Sequence, residues 1–251
     1  MDMKKILSFL AIAAMVIVAC SKKPTPTPTP TPEPEPEPEP EYVAPITIDG
    51  DFADWAKLDA SKVATATCPS DPKYDALKTL KVYADEHYIF MYAEFTPQEE
   101  GAPISWDVFM NADNSAETGG YADFWNEPDN EWLFEGGLDD WDASLFKWWG
   151  EVGANSWTWA DPSVDHGDDD AWGAFVPAAG FCASSADLVN GKVEFSIMRE
   201  MLEETVKFAD TFTMGAMLSV SWTTAGVLPC APITDDNTSG IAPKLKVTVV
   251  K

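Results

Sequence analysis

The segment LKVYADEHYIFMYAEF, residues 80–95, decides the fold. Side chains alternate between two faces along 80–84 and again along 87–95, and a period of two is typical of β-strands. Asp85 and Glu86 lie between the two runs and predict a tight turn. The segment is therefore predicted to be an antiparallel hairpin.

Further strand candidates flank this hairpin on its C-terminal side. They are residues 104–110, 131–135, 143–149, 156–160, 192–197, 212–222 and 244–250. Gly, Pro, Asn and Asp punctuate them, and short strands at this spacing predict an all-β protein, an antiparallel β-sandwich of the jelly-roll type. A single short helix is expected over 198–207 as a cap on the sandwich. Its apolar face would hold Met198, Met201, Leu202 and Val206.

Four segments in the same order resemble a known family. They are ITIDGDFADW (46–55), the 80–95 hairpin, DVFMNADN (107–114) with Thr118 and Gly119 after it, and VEFSI (193–197). Together they resemble the family 9 carbohydrate-binding modules and their DOMON-like relatives. The resemblance implies a β-sandwich that binds glycan without catalysis. Asp49, Asp54 and Trp55 are interpreted as structural, with Trp55 folding back as a core plug.

The N-terminus has the pattern of a secretory signal. Lys4 and Lys5 precede an apolar run that ends at Ala19 and Cys20, and about 14 apolar residues are too few to span a bilayer. The approach to Cys20 resembles the lipobox of bacterial lipoproteins, which implies cleavage before Cys20 and acylation of that residue. The alternative is an ordinary signal peptide with an incidental cysteine. We predict a signal peptide over 1–19, a linker over 20–41 and a β-sandwich domain over 42–251.

Residues 24–41 read PTPTPTPTPEPEPEPEPE. A proline at every second position favours extended polyproline II and excludes a packed core, so we predict a disordered Pro-rich tether that reaches about 55 Å. Such a tether suits a lipid-anchored protein of the cell envelope that reaches away from its membrane. We expect an outer-membrane lipoprotein, with the surface and the periplasmic face both open.

Composition excludes several partners. The 251 residues carry 42 acidic and 16 basic side chains, a formal net charge of −26, and Arg199 is the one arginine. Because nucleic-acid affinity depends on Lys and Arg, we expect no nucleic-acid partner, and membrane contact only through the lipid anchor. The sequence has no nucleophile motif, no phosphate loop and no zinc motif, so no enzyme is predicted.

Tryptophan is concentrated in one acidic region. Residues 123–172 hold eight of the 11 Trp. An exposed indole is a flat apolar plate that suits the C–H face of a sugar ring, although any one of these residues could instead be core. The predicted carbohydrate-binding residues are Trp125, Trp132, Trp148, Trp149, Trp157 and Trp159.

The loop after the third strand candidate carries hard oxygen ligands. Asn111, Asp113, Asn114 and Glu117 could hold Ca²⁺, which takes six to eight oxygens. Structural calcium is also what the family resemblance implies near such a loop. The alternative is a solvated turn rich in Asx residues. A second acidic run at 165–170 is a weaker cation candidate.

Four cysteines leave three once Cys20 is acylated. Export would allow one disulfide, and Cys182 with Cys230 is the expected pair because both lie in loop-like sequence. The predicted function is non-catalytic binding of a poly- or oligosaccharide, with glycan-processing proteins of the cell envelope as partners. The alternative is a structural or adhesive surface module with a calcium-stabilised acidic face and no glycan site.

Overall fold

Short antiparallel strands form the framework of the structure, a computed structural model that describes residues 42–99, 101–122, 124–125, 127–137, 144–148, 150–153, 159–160, 182–203 and 206–251. One compact unit runs from Val43 to Lys251. Its strands are β1 Ala64–Thr67, β2 Leu77–Ala84, β3 Tyr88–Phe95, β4 Ile104–Asn111, β5 Gly120–Ala122, β6 Glu127–Asn130, β7 Trp132–Gly137, β8 Ser144–Trp148, β9 Trp159–Ala160, β10 Cys182–Asp187, β11 Lys192–Met198, β12 Thr211–Val220, β13 Thr223–Leu228 and β14 Leu245–Thr248. The predicted all-β antiparallel sandwich is confirmed.

The first sheet contains the predicted hairpin. Its order is β1-β2-β3-β11-β10, and each neighbouring pair is antiparallel. The turn between β2 and β3 is held by Asp85, whose Oδ1 accepts from the backbone N–H groups of His87 and Tyr88, both at 2.8 Å. The Asp85 carboxylate thus satisfies two backbone N–H donors that are not paired within the hairpin ladder.

The second sheet has the order β13-β12-β4-β7-β8-β9, and β14 also pairs with β12. Strand β12 is the longest and pairs with β4 over eight residue pairs. Strands β5 and β6 form a separate two-stranded ribbon. Two stacked antiparallel sheets are the arrangement in which each strand can bury one of its two faces.

The main core lies between the two sheets. Alternate residues of β4, β12, β3 and β11 point into it, as the period of two predicts. Phe195 joins the two layers, because its ring lies 5.7 Å from that of Phe134 in a stacked arrangement and 5.8 Å from Trp106 edge to face. These aromatic contacts fill the space between the sheets with few side chains.

The outer face of the first sheet is covered by the N-terminal motif. The indole of Trp55 packs there and donates through Nε1 to Glu194 Oε2 at 3.2 Å. The backbone N–H groups of Asp49 and Gly50 donate to Glu194 Oε1 at 3.1 and 2.9 Å. Gly50 has a φ of 84°, a left-handed backbone that favours glycine. The fully buried Glu194 therefore anchors the motif, consistent with a structural role for Trp55.

Two predicted elements have other bounds than expected, and strands β1, β5, β6, β10 and β13 were not predicted. The helix expected over 198–207 begins at Arg199 and is described as α1 Arg199–Glu203. Residues 204–205 lie outside the described residues, and the N–H of Val206 donates to the carbonyl of Leu202 at 3.1 Å. The strand expected over 212–222 ends at Val220, and Ser221 and Trp222 form a two-residue turn that leads into β13. Both residues have positive φ, at 51° and 64°, which side-chain alternation does not reveal.

Candidate functional site

The outer face of the second sheet is the candidate functional region. Trp125 and Trp148 cover part of it, together with Phe109 and Leu133 from the central strands. Trp125 lies directly on Gly215, where an added Cβ would fall 2.3 Å from the indole. Because Gly215 has no side chain, the large indole ring can approach the sheet backbone there, and Gly120 has the same role beneath Trp148.

The predicted tryptophan platform is not exposed where the structure describes it. Trp125, Trp132 and Trp148 are 2%, 1% and 6% exposed. The prediction that these three offer a free stacking face is therefore wrong, because the first and third pack on the outer cluster and Trp132 lies in the main core. Trp149 and Trp157 lie outside the described residues. Trp159 is described only as part of β9, where its backbone pairs with Trp148.

A cleft of about 370 Å³ opens beside the buried indole of Trp125. We call it the aromatic cleft, and its lining includes Lys73, Tyr74, Phe124, Thr224, Val227 and Ser239. The rings of Tyr74 and Phe124 meet edge to face at 6.2 Å, and Phe124 in turn contacts Trp125 at 5.8 Å. The ammonium of Lys73 lies 5.2 Å from the Tyr74 ring centroid. The cleft thus combines half-buried aromatic surface with hydroxyl and ammonium groups.

A second cleft of similar size, about 350 Å³, has a different character. Its lining includes Lys62, Val63, Lys246 and Val250, and no aromatic side chain among the described residues. Since sugar-binding sites use aromatic plates, the aromatic cleft is the better candidate for a ligand of that class.

The outer face also carries an acidic pair. Asp107 on β4 lies directly opposite Glu135 on β7 in the strand register. Burial, and then repulsion from Glu135, raise the pKa of Asp107 to about 7. Two like charges opposite each other on neighbouring strands destabilise a sheet, so the arrangement favours a protonated Asp107 near neutral pH.

The predicted metal-binding loop is drawn partly into a hydrogen-bonded network. Asn111 is 3% exposed, and its Nδ2 donates to Asp129 Oδ2 at 2.7 Å and to the carbonyl of Ser115 at 3.2 Å. Its Oδ1 has no hydrogen-bond partner in the described part of the chain. Thr118 Oγ1 lies 3.0 Å from Asp113 Oδ2 and 2.9 Å from Glu131 Oε1, so this hydroxyl bridges the two carboxylates.

Glu131 is the member of this network that the sequence prediction missed. Burial, and then the charge of Asp113, raise its pKa to about 7. Asn114, one of the predicted ligands, has a φ of 55°. The backbone N–H of Glu117, another predicted ligand, donates to Ser115 Oγ at 3.0 Å. Among the described residues no group of three or more His, Cys, Asp or Glu side chains has metal-binding geometry. The calcium prediction, which also relies on the amide oxygens of Asn111 and Asn114, stays a prediction.

A buried lysine closes the same end of the domain. Lys244 Nζ is fully buried and donates to Asp129 Oδ1 at 2.5 Å and to Asn130 Oδ1 at 2.7 Å, with Glu127 Oε2 at 3.6 Å. These contacts join the β5–β6 ribbon to the segment before β14. A buried ammonium group is costly without partners. Lys244 therefore favours the position in which the acidic ribbon supplies these partners.

Trp222 is the one large exposed indole among the described residues. It is 86% exposed at the tip of the β12–β13 hairpin, two residues before Thr224 of the aromatic cleft. A two-residue hairpin turn with positive φ at both positions favours Asn and Gly, so Ser221 and Trp222 are unusual there. Its exposure and its disfavoured backbone conformation make Trp222 a candidate for contact with a ligand.

The expected Cys182–Cys230 disulfide is wrong. Cys182 begins β10 at one edge of the first sheet, whereas Cys230 lies beside Cys68, just after β1 at the opposite edge. Four strand spacings of about 4.8 Å separate these edges, more than a disulfide can bridge. Cys20, the predicted lipidation site, lies outside the described residues.

Comparisons with protein-family models, with curated proteins and with solved structures find no match to this chain. Within the described residues, no helix is long and apolar enough to cross a membrane.

The sequence prediction missed Tyr74, Phe124 and Trp222 because it considered only the tryptophans of residues 123–172. Phe124 lies in that region beside Trp125, and Tyr74 lies in a distant loop that nothing in the pattern places next to it. Trp222 falls at the end of an apolar run and reads as a strand residue. The sequence does carry one signal for a turn at Trp222. Val220 and Thr223 are residues typical of the two strands that flank a two-residue hairpin turn.

Proposed function

We propose that this protein is a non-catalytic carbohydrate-binding module whose glycan lies in the aromatic cleft. The observation that carries the proposal is the pair of half-buried rings, Tyr74 and Phe124, beside hydroxyl groups in a cleft of about 370 Å³. Cavities of about 300–1,000 Å³ with aromatic walls and a few polar groups are the usual size and make-up of small-ligand sites.

The chemistry of the lining suits a sugar ring. The C–H face of a pyranose stacks on an aromatic plate, while its hydroxyl groups need donors and acceptors at the edge. Thr224 and Ser239 offer hydroxyl groups, and Lys73 offers ammonium donors. Trp125, one of the predicted binding residues, then acts indirectly by supporting the ring of Phe124.

Trp222 would extend this surface beyond the cleft. It lies two residues from Thr224, or about 7 Å along a strand, which is comparable with the length of one or two sugar units. An exposed indole there could contact a chain that leaves the cleft. The proposal therefore favours an oligo- or polysaccharide over a free monosaccharide.

The proposed cellular setting follows the sequence prediction. A lipid anchor at Cys20 and the 24–41 tether would hold the module in the cell envelope, where glycan-processing proteins would be its partners. Metabolic labelling with a fatty-acid analogue tests the anchor, since the label should enter the wild-type chain and be lost in Cys20→Ala.

A glycan-array screen of the purified protein, with and without chelator, tests the binding proposal. The best ligand is then titrated against Tyr74→Ala and Phe124→Ala. Loss of one stacking plate should weaken binding about tenfold, the equivalent of about 1.4 kcal/mol.

Tyr88→Ala is the matched control. Tyr88 is a half-buried aromatic residue on the outer face of the other sheet, so its removal should leave glycan affinity unchanged. The proposal fails if no glycan binds, or if Tyr88→Ala weakens binding as much as the cleft variants do.

A structural or adhesive module with a calcium-stabilised acidic face is the second candidate. The unpartnered Asn111 Oδ1 near the Asp113–Glu131 carboxylates favours it, because all three are hard oxygen ligands and a divalent cation would relieve the repulsion. Calcium should then raise the unfolding temperature of the wild type, and Asp113→Asn should abolish that rise. An unchanged unfolding temperature at millimolar calcium would exclude this role.

A further inference from the structure

Two cysteines from different sheets meet at one edge of the sandwich. Cys68 follows β1 of the first sheet, and Cys230 follows β13 of the second. Both side chains are half-buried against the main core. The two thiols lie close enough for each to influence the other's pKa through hydrogen bonding.

The backbone around the two cysteines is held by main-chain hydrogen bonds. The N–H of Cys68 donates to the carbonyl of Lys78 at 2.9 Å, which ties it to β2. Beyond Cys68, the carbonyl of Asp71 accepts from the N–H of Ile233 at 2.8 Å. The contact between the thiols is therefore held by main-chain bonds on both sides of the pair.

Before Cys230 the two chains are joined again. The N–H of Ala76 donates to the carbonyl of Ala225 at 2.9 Å, and Asp75 forms a bridge with Gly226. An alanine at Gly226 would place its Cβ 2.3 Å from the backbone nitrogen of Leu77, so the strands touch closely here. This close approach of the two sheets brings the thiols together.

We propose that Cys68 and Cys230 form an intramolecular disulfide that joins the two sheets. The reaction is thiol–disulfide exchange with an oxidised disulfide, either a dithiol oxidase or oxidised glutathione. The thiolate of one cysteine attacks that disulfide, forms a mixed disulfide and expels one thiolate of the oxidant. The thiolate of the second cysteine then attacks the mixed disulfide and expels the other thiolate of the oxidant. The oxidant's disulfide takes up two electrons, and its two thiolates take up the two protons that the cysteines lose.

The bond would act on stability and on the aromatic cleft. It closes a loop of about 160 residues, and cross-links across long loops restrict the unfolded chain most strongly. Cys230 also lines the aromatic cleft, so the bond would fix one wall of that cleft. The proposal does not depend on a glycan ligand, because it concerns only the two sulfur atoms.

The test is a thiol count and a non-reducing peptide map of the purified full chain after equilibration with oxidised glutathione. The wild type and Cys182→Ser should each contain a link between the Cys68 and Cys230 peptides. Cys68→Ser and Cys230→Ser should contain no such link. Oxidation of the wild type should raise its unfolding temperature by roughly 5–10 °C, reversed by reductant.

Two results would overturn the proposal. One is a peptide map that links Cys230 to Cys182 instead of Cys68. The other is alkylation of both Cys68 and Cys230 after prolonged equilibration with oxidised glutathione at about pH 9. Alkaline pH and a long equilibration are needed because burial raises the pKa of both thiols, that of Cys230 to about 11. The wild-type map decides the question even if a serine variant fails to fold.

Discussion

The outer faces of the two sheets differ in how their polar groups are satisfied. On the first sheet, Glu194 is fully buried but accepts three N–H donors from the N-terminal motif that covers it. On the second sheet, Asp107 lies opposite Glu135 with a pKa raised to about 7. One buried carboxylate is matched by donors, and the other faces a like charge.

This difference supports the proposal that the second face, and not the first, binds a ligand. A covered face whose buried acceptors are all matched has no chemistry left to offer a ligand. The second face keeps a raised carboxyl pKa, the aromatic cleft and the exposed Trp222, and such features concentrate at functional sites. The comparison locates the proposed glycan site on the second sheet.

Removal of the Glu194 carboxylate, on the outer face of the first sheet, should cause the largest loss of stability. Glu194→Leu leaves the indole N–H of Trp55 and two backbone N–H groups buried without an acceptor. We expect a loss of about 4 kcal/mol in the free energy of unfolding, measured by urea denaturation. Glu94→Leu is the control, since Glu94 is half-buried and accepts from Tyr92, and it should cost less than about 1 kcal/mol. Equal losses would contradict the structural role of Glu194.

Gly215→Ala tests how the second face is packed. The new Cβ would lie 2.3 Å from the Trp125 indole, so we expect a loss of about 2–3 kcal/mol from overpacking. In a Trp125→Leu background the clash is gone, and the same substitution should cost less than about 1 kcal/mol. If the two costs are equal, Trp125 does not depend on Gly215.

Asp107→Asn tests whether the raised pKa of Asp107 makes the stability of the protein depend on pH. A carboxyl group whose folded pKa lies near 7, above an ordinary value of 3.8, binds a proton more tightly in the folded state. Its contribution to stability is therefore present below about pH 4 and is lost as the pH rises towards 7. Relative to the wild type, Asp107→Asn should gain at least about 2 kcal/mol at pH 8 and almost nothing at pH 4. Thermal and urea unfolding at the two pH values measure this gain.

The exposed Asp235 provides the control for that experiment. Asp235→Asn should change the free energy of unfolding equally at pH 4 and pH 8. If the gain in unfolding free energy for Asp107→Asn is the same at pH 4 and pH 8, burial does not raise the pKa of Asp107.

The hairpin turn should give the smallest change in stability. Replacing Ser221 with Asn and Trp222 with Gly introduces the residues that a turn with two positive φ values favours. The unfolding free energy should rise by about 0.5–1 kcal/mol, while glycan affinity falls if Trp222 contacts the ligand. Urea denaturation and a glycan titration measure the two effects. A variant that gains stability and keeps full affinity would remove Trp222 from the site.

The strands could be predicted because their signal is local. The hairpin at 80–95 forms β2 and β3 with its turn at Asp85, and the period of two fixes which residues enter the core. The predicted pair Cys182–Cys230 was wrong because it required knowing which edges of the sheets meet. The platform predicted at Trp125, Trp132 and Trp148 was wrong for a similar reason, since burial of these rings depends on glycines and loops from elsewhere in the chain.

The sequence by itself determined the class of fold and the excess of acidic groups, because alternation and composition are properties of neighbouring residues. Tertiary structure alone decided which aromatic residues remain accessible, which carboxylate is matched by donors and which cysteine meets Cys230. These outcomes depend on contacts between segments more than 100 residues apart, such as Glu194 with Trp55 and Cys68 with Cys230. Long-range packing sets the energy of each such contact, and a linear pattern of residue types does not encode it.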